Sequence, residues 1–194
     1  QPRLGLATSH DGKVWTRHPV PVLDTGPRGA WDERGVADPY VLHEGGVFYL
    51  FYLGQDRARR QRLGVARSND GIAWEKLRSN PILELGGPDA FDENGLGEPA
   101  VWQEGGRYWM LYTGRDRGEN RRLGFARSRD GVLWEKVPRP VIEGDQAWNR
   151  SVVCDPTVLR APQGWTVWFG GGNAPRPDEH LEGQIGVALL QPAP

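Results

Sequence analysis

The sequence predicts an all-β chain, a β-propeller of four-stranded antiparallel blades of which about three are present. Three observations carry this: one motif recurs at near-constant spacing, the first three copies lead into the same turn and tryptophan, and no segment sustains a helical period of apolar residues. The motif begins as Arg3-Leu4-Gly5-Leu6-Ala7-Thr8-Ser9, returns as Arg62-Leu63-Gly64-Val65-Ala66-Arg67-Ser68 and as Arg122-Leu123-Gly124-Phe125-Ala126-Arg127-Ser128, and closes as Gln184-Ile185-Gly186-Val187-Ala188. Its glycines stand 59, 60 and 62 residues apart.

Each unit reads as strands A to D. Residues 1–30 form a half blade that opens on a third strand, C, and turns at Ser9-His10-Asp11-Gly12 toward Trp15. In residues 31–89, strand A ends in Tyr40-Val41-Leu42, a Gly45-Gly46 turn leads to the aromatic strand B at residues 47–52, and strand C ends at the turn Ser68-Asn69-Asp70-Gly71 before Trp74. Residues 90–146 repeat this with Ala100-Val101-Trp102, Gly105-Gly106, residues 108–112, and Ser128-Arg129-Asp130-Gly131 before Trp134. Residues 147–194 repeat it again with Val158-Leu159, a turn at Pro162-Gln163-Gly164 and the strand Trp165-Thr166-Val167-Trp168-Phe169. Asp-Gly between short apolar runs marks a hairpin, because both residues accept positive φ. Ser and Asp are expected to cap these turns while Trp15, Trp74 and Trp134 fill the spaces between blades. Residues 174–182, mostly polar with Pro175 and Pro177, read as a long surface loop.

The strand count bears on how the ring closes. Strand C stands at both ends and only the final D strand is lacking, whereas known propellers have at least about four blades. The expectation is a single partial domain over residues 1–194, completed by missing amino-terminal blades or, as a second choice, by another chain. The amino end, Gln1-Pro2-Arg3, has neither an initiator Met nor a signal-peptide pattern, so the chain reads as processed or cut from something longer.

Composition excludes several functions. With 24 Lys and Arg against 25 Asp and Glu, and no long like-charged run, nothing favours nucleic acid or an anionic membrane as a partner. No apolar run approaches the roughly 18 residues of a spanning helix, so a soluble chain of open location is expected. Cys154 stands alone, His10, His18, His43 and His180 are scattered, and no zinc-type spacing occurs. No metal or cofactor is expected.

One position does suggest chemistry. Before strand A stand Asp38 in Gly35-Val36-Ala37-Asp38-Pro39, Glu98 in Gly95-Leu96-Gly97-Glu98-Pro99, and Asp155 in Val152-Val153-Cys154-Asp155-Pro156, each seven residues after an aromatic, Trp31, Phe91 or Trp148. Equivalent positions of successive A strands line one central funnel, so the three acids would face one another there. Like charges in a partly dry pocket push their pKa values apart, which leaves one protonated while another is ionised. The acids could instead only accept hydrogen bonds from the preceding turn, but that role gives no reason to lengthen Asp to Glu in one blade alone.

The layout resembles the five-bladed propeller glycosidases, the superfamily of glycoside hydrolase families 43, 62, 32 and 68, with the family 130 mannoside phosphorylases as relatives. In families 43 and 32 a first-blade Asp serves as base or nucleophile, an Asp in an Arg-Asp-Pro-like motif tunes and orients, and a Glu one blade further is the general acid. The resemblance implies that Asp38, in Ala37-Asp38-Pro39, is the modulator and that Glu98 is the acid, with the first Asp on a blade outside this chain. Ala37 replaces the usual Arg, and Asp155 is an additional acid that becomes a candidate base if two chains complete the ring. Some family 43 enzymes hold calcium in the channel with a His, but no His stands near Asp155 in the sequence.

The implied activity is cleavage of a furanoside or plant-type oligosaccharide or polysaccharide by paired carboxyl groups, with a non-catalytic carbohydrate-binding or interaction propeller as one alternative and a glycoside phosphorylase as another. Gln55 and Arg115, in the loops between strands B and C, suit sugar hydroxyls. Arg34, Arg115 and Arg150 are the basic residues that phosphorolysis would draw on. Trp31 and Trp148 could stack on a sugar ring, although their recurrence in every unit also fits packing between blades. The Asp-Gly turns resemble sialidase Asp boxes but are one residue shorter, and turn chemistry accounts for them.

Overall fold

The structure is a computed structural model describing residues 1–162, 164–175 and 183–190. The described residues form thirteen strands and no helix, so none of them builds a helix long and apolar enough to cross a membrane. The half blade supplies a small antiparallel pair, β1 (Ala7–Thr8) and β2 (Thr16–Arg17). The first full unit is β3 (Gly35–Glu44), β4 (Val47–Gln55), β5 (Gln61–Ser68) and β6 (Glu75–Lys76). The second is β7 (Gly95–Glu104), β8 (Arg107–Arg115), β9 (Arg121–Ser128) and β10 (Trp134–Lys136). The third holds β11 (Val152–Ala161), β12 (Gly164–Gly172) and β13 (Gln184–Leu190). Neighbouring strands within a unit pair antiparallel, while one parallel bridge joins each full unit to the next, at Gln61 with Gly95 and at Arg121 with Val152. This is a partial β-propeller, the fold class the repeats imply.

The D strands are shorter than the repeat suggests, because the turn before them is built from side-chain bonds rather than from ladder. Asp70 Oδ1 accepts the main-chain N–H of Ile72 and Ala73, each at 2.8 Å, and Ser68 Oγ accepts that of Gly71 at 2.9 Å. Trp74 Nε1 donates to the Gly71 carbonyl at 3.0 Å. The same bonds recur at Asp11 and Asp130. The amides of Ala73 and Ile72 hold the Asp70 carboxyl below the usual carboxylate range.

Three apolar clusters lie between adjoining units. Leu4 and Leu23 meet Val36, Leu50 and Tyr52. Phe51, Leu63 and Val65 meet Leu96, Val101 and Met110. Trp102, Leu111 and Leu123 meet Val153, Val158, Val167 and Phe169. Trp134 stands edge-on to Phe51 with ring centroids 6.0 Å apart, and Trp74 packs partly buried on the first cluster. Trp15 departs from the expected filling role: it is 61% exposed, because no sheet among the described residues covers its side of the half blade. Of the loop expected over residues 174–182, residues 176–182 lie outside the described ones.

Beneath this packing runs a polar repeat. Lys76 Nζ meets Asp32 Oδ2 at 2.5 Å and Lys136 Nζ meets Asp92 Oδ2 at 2.7 Å, and the hydroxyls of Tyr52 and Tyr112 donate to the same two carboxylates. In the third unit Asn149 and Phe169 occupy the Asp and Tyr positions, so charge and hydroxyl are lost together.

Candidate active site

All three acids stand at the same break in strand A. The A–B ladder shifts register between Ala37 and Tyr40, between Gly97 and Ala100, and between Cys154 and Thr157. Within each bulge the acid adopts a left-handed backbone, with φ of 51° at Asp38, 51° at Glu98 and 53° at Asp155. That region costs a non-glycine residue on the order of 1–3 kcal/mol and persists where the surroundings impose it. At the second and third acids the main-chain amide faces the acid of the preceding unit. The N–H of Glu98 donates to Asp38 Oδ2 at 3.2 Å, and the N–H of Asp155 donates to Glu98 Oε2 at 2.9 Å.

Asp38 and Glu98 line a cavity of about 240 Å3, together with Gln55, Gln61, Thr113, Arg115 and Arg121. That is just under the ~300–1,000 Å3 typical of small-molecule sites. Burial first, then the charges of Asp155 and Asp38, push the Glu98 carboxyl up to about 7. Thr113 Oγ1, which donates to Glu98 Oε2 at 2.5 Å, and the Asp155 amide oppose that rise. A carboxyl of this kind can give up a proton near neutral pH, with a second carboxylate directly beside it.

The sequence-predicted residues separate into two groups. Asp38, Glu98, Gln55 and Arg115 meet at the cavity. Asp155 is exposed and lies outside the lining; the atom it sends to Glu98 is its main-chain nitrogen, and its carboxylate accepts the Cys154 thiol at 3.0 Å. Trp31 and Trp148 also lie off the lining. The Trp31 ring covers Gly54 and Gly64 of its own unit so closely that a Cβ on Gly64 would stand 2.5 Å from Cζ2, and Trp148 covers Gly171 and Gly186 in the same way. Arg115 Nη1 pairs with Glu119 at 3.2 Å, while its buried Nε has no hydrogen-bond partner.

Gln61, Thr113 and Arg121 escaped the sequence reading. The signal was present in the repeats. Gln55 and Gln61 of the first unit become Arg115 and Arg121 in the second, and Leu53 becomes Thr113. Glu98, Cys154 and Asp155 bring three ligating atoms within 4.8 Å of one another. The set does not fit calcium, which takes oxygen ligands: burial pushes the Cys154 thiol up, and it acts as a donor to Asp155.

Residues 4–156 match the family model described as the glycosyl hydrolases family 32 N-terminal domain. An uncharacterized protein of Mycobacterium tuberculosis is 33% identical over 168 residues, covering 81% of this chain and 55% of its own length. A 1,2-beta-oligomannan phosphorylase of Thermoanaerobacter sp. is 29% identical over 125 residues, covering 60% of this chain and 41% of its own. A raffinose invertase of Escherichia coli is 31% identical over 124 residues, covering 60% and 24%. The chain therefore spans about half the length, or less, of these relatives. Two solved structures share the fold: a beta-1,2-mannobiose phosphorylase of Listeria innocua in complex with beta-1,2-mannobiose, at TM-score 0.75 and 18% identity over 96% of this chain and 49% of that one, and a beta-fructofuranosidase of Bombyx mori, at TM-score 0.71 and 16% identity over 96% and 39%. The bulged strands and their cavity are thus those of a chain that belongs to the glycosyl hydrolase family 32 N-terminal domain family.

Proposed function

We propose that this chain carries the acid side of a glycosidase active site, in which Glu98 protonates the leaving glycosidic oxygen and Asp38 orients the reacting group and tunes Glu98. The observation that carries the reading is a carboxyl pushed up to about 7 inside a cavity that Asp38 also lines. Gln55 and Gln61 offer neutral donors and acceptors for sugar hydroxyls. A furanoside is the proposed substrate class, supported by the family match and by the raffinose invertase relative. The opposing carboxylate, which activates water or attacks the anomeric carbon, is proposed to lie on a blade beyond these residues, in keeping with the greater length of the relatives. Asp155 takes that part if two chains meet at the site.

The test is release of reducing sugar from sucrose and raffinose by the chain joined to the blades that supply the opposing carboxylate, and by the Glu98→Gln variant of that protein. The variant is expected to lose about 10²–10⁴-fold in turnover while its affinity for the sugar stays within a few-fold. Equal turnover in the variant removes Glu98 from the mechanism, and tight binding by the unaltered protein, with the opposing carboxylate present, but no product over long incubation favours a carbohydrate-binding role. Phosphorolysis is the second reading, favoured by the buried unpartnered Nε of Arg115 with Arg121 in the same cavity. In that case turnover of beta-1,2-mannobiose requires inorganic phosphate.

A further inference from the structure

The two oxygens of Glu98 are treated differently. Oε2 accepts twice, from Thr113 Oγ1 at 2.5 Å and from the Asp155 N–H at 2.9 Å. Each carboxylate oxygen offers about two lone-pair sites, so Oε2 is saturated, and neither bond reaches Oε1. The repeats provide an internal comparison at the position that delivers the hydroxyl. On strand B, the residue paired with the one just before the acid is Leu53 opposite Ala37, Thr113 opposite Gly97, and Gly170 opposite Cys154. Packing at this place is met by Leu in one unit and by no side chain in another. The hydroxyl occurs only where the acid is Glu, and Thr113 is 4% exposed, with that hydroxyl spent on the carboxylate.

We infer that Thr113 is a positioning residue: with the Asp155 main-chain N–H it clamps Oε2 of Glu98, so that the transferable proton is carried on Oε1. This rests on the reading of Glu98 as the acid. It also gives Asp155 a part in the site that does not need its carboxylate in the cavity. Because both donors favour the ionised form, the clamp keeps Glu98 from rising further and so keeps its proton available near neutral pH.

The test is a pH titration of the Glu98 carboxyl carbon in glutamate-labelled chain by carbon-13 NMR, with the signal assigned by its loss in Glu98→Gln. Thr113→Val keeps the shape and removes the donor, Thr113→Ala removes the donor without the γ-methyl of Val, and Thr113→Ser keeps the donor. The midpoint is expected to rise by about one pH unit in the Val and Ala variants, the worth of one hydrogen bond to a charged group, and to return to that of the unaltered chain in the Ser variant. A midpoint unmoved in either donor-free variant overturns the clamp, since a packing role alone changes stability and leaves the titration in place. A midpoint near 4.5 in the unaltered chain would instead overturn the acid reading, and the difference between Val and Ser would still decide the clamp.

Discussion

Glu98 is an acid whose environment, more than its chemistry, sets its state. It is partly buried between Asp38 and Asp155, and that burial, with their charges, pushes its carboxyl up to about 7 from an ordinary 4.5. A carboxyl raised on folding binds its proton more tightly in the folded chain, so its contribution to stability is fully present below about pH 4.5 and is lost as pH rises through about 7. The loss is on the order of 3 kcal/mol at most. Glu98→Gln stays neutral throughout, so urea midpoints of that variant are expected to fall less between pH 4.5 and 7 than those of the unaltered chain; parallel curves contradict the assignment. The place of Glu98 at the cavity was legible in the sequence, because one Glu stands among Asp residues at a repeated position. Thr113 was not, because it lies 15 residues away and reaches Glu98 only through the pairing of Thr113 with Gly97. The left-handed backbone at the three acids was hidden for a related reason: Asp-Pro and Glu-Pro do not announce a bulge.

At the scale of the element, ion pairs anchor the short D strands in addition to their ladder hydrogen bonds. Lys76 lies on β6, two residues long, and its ammonium ends on Asp32, whose side chain is 2% exposed. Lys76→Met leaves that carboxylate buried without its cation, which costs about 3–5 kcal/mol. Adding Asp32→Asn removes the stranded charge and copies the Asn149 of the third unit. The double variant is therefore expected to recover most of the loss in chemical denaturation, and a double variant no more stable than Lys76→Met refutes the account of the pair. The turns at Asp11, Asp70 and Asp130 were readable as turns, since Ser, Asp, Gly and Trp each have one local bond to make. The Lys–Asp–Tyr sets were not, because the three residues are separated by 20 and 24 positions and become neighbours only after the sheet has formed.

Across the whole molecule, each full unit presents an apolar face to the next. Trp102, Leu111 and Leu123 are buried by the third unit, while their counterparts Leu159, Trp168 and Ile185 lie on a face left open among the described residues. The repeat made this architecture legible, and it also led to the expectation of three acids in one funnel. Two of them line the cavity. The third, Asp155, is exposed and outside that lining, although one of its carboxylate oxygens stands within 4.8 Å of one of Glu98. The state of Glu98 is accordingly a property of three packed units, with Asp38 supplied from one side and Asp155 from the other. The most direct measurement is the carboxyl titration of Glu98 in the unaltered chain. The account predicts a midpoint near 7, and a midpoint near 4.5 would contradict it.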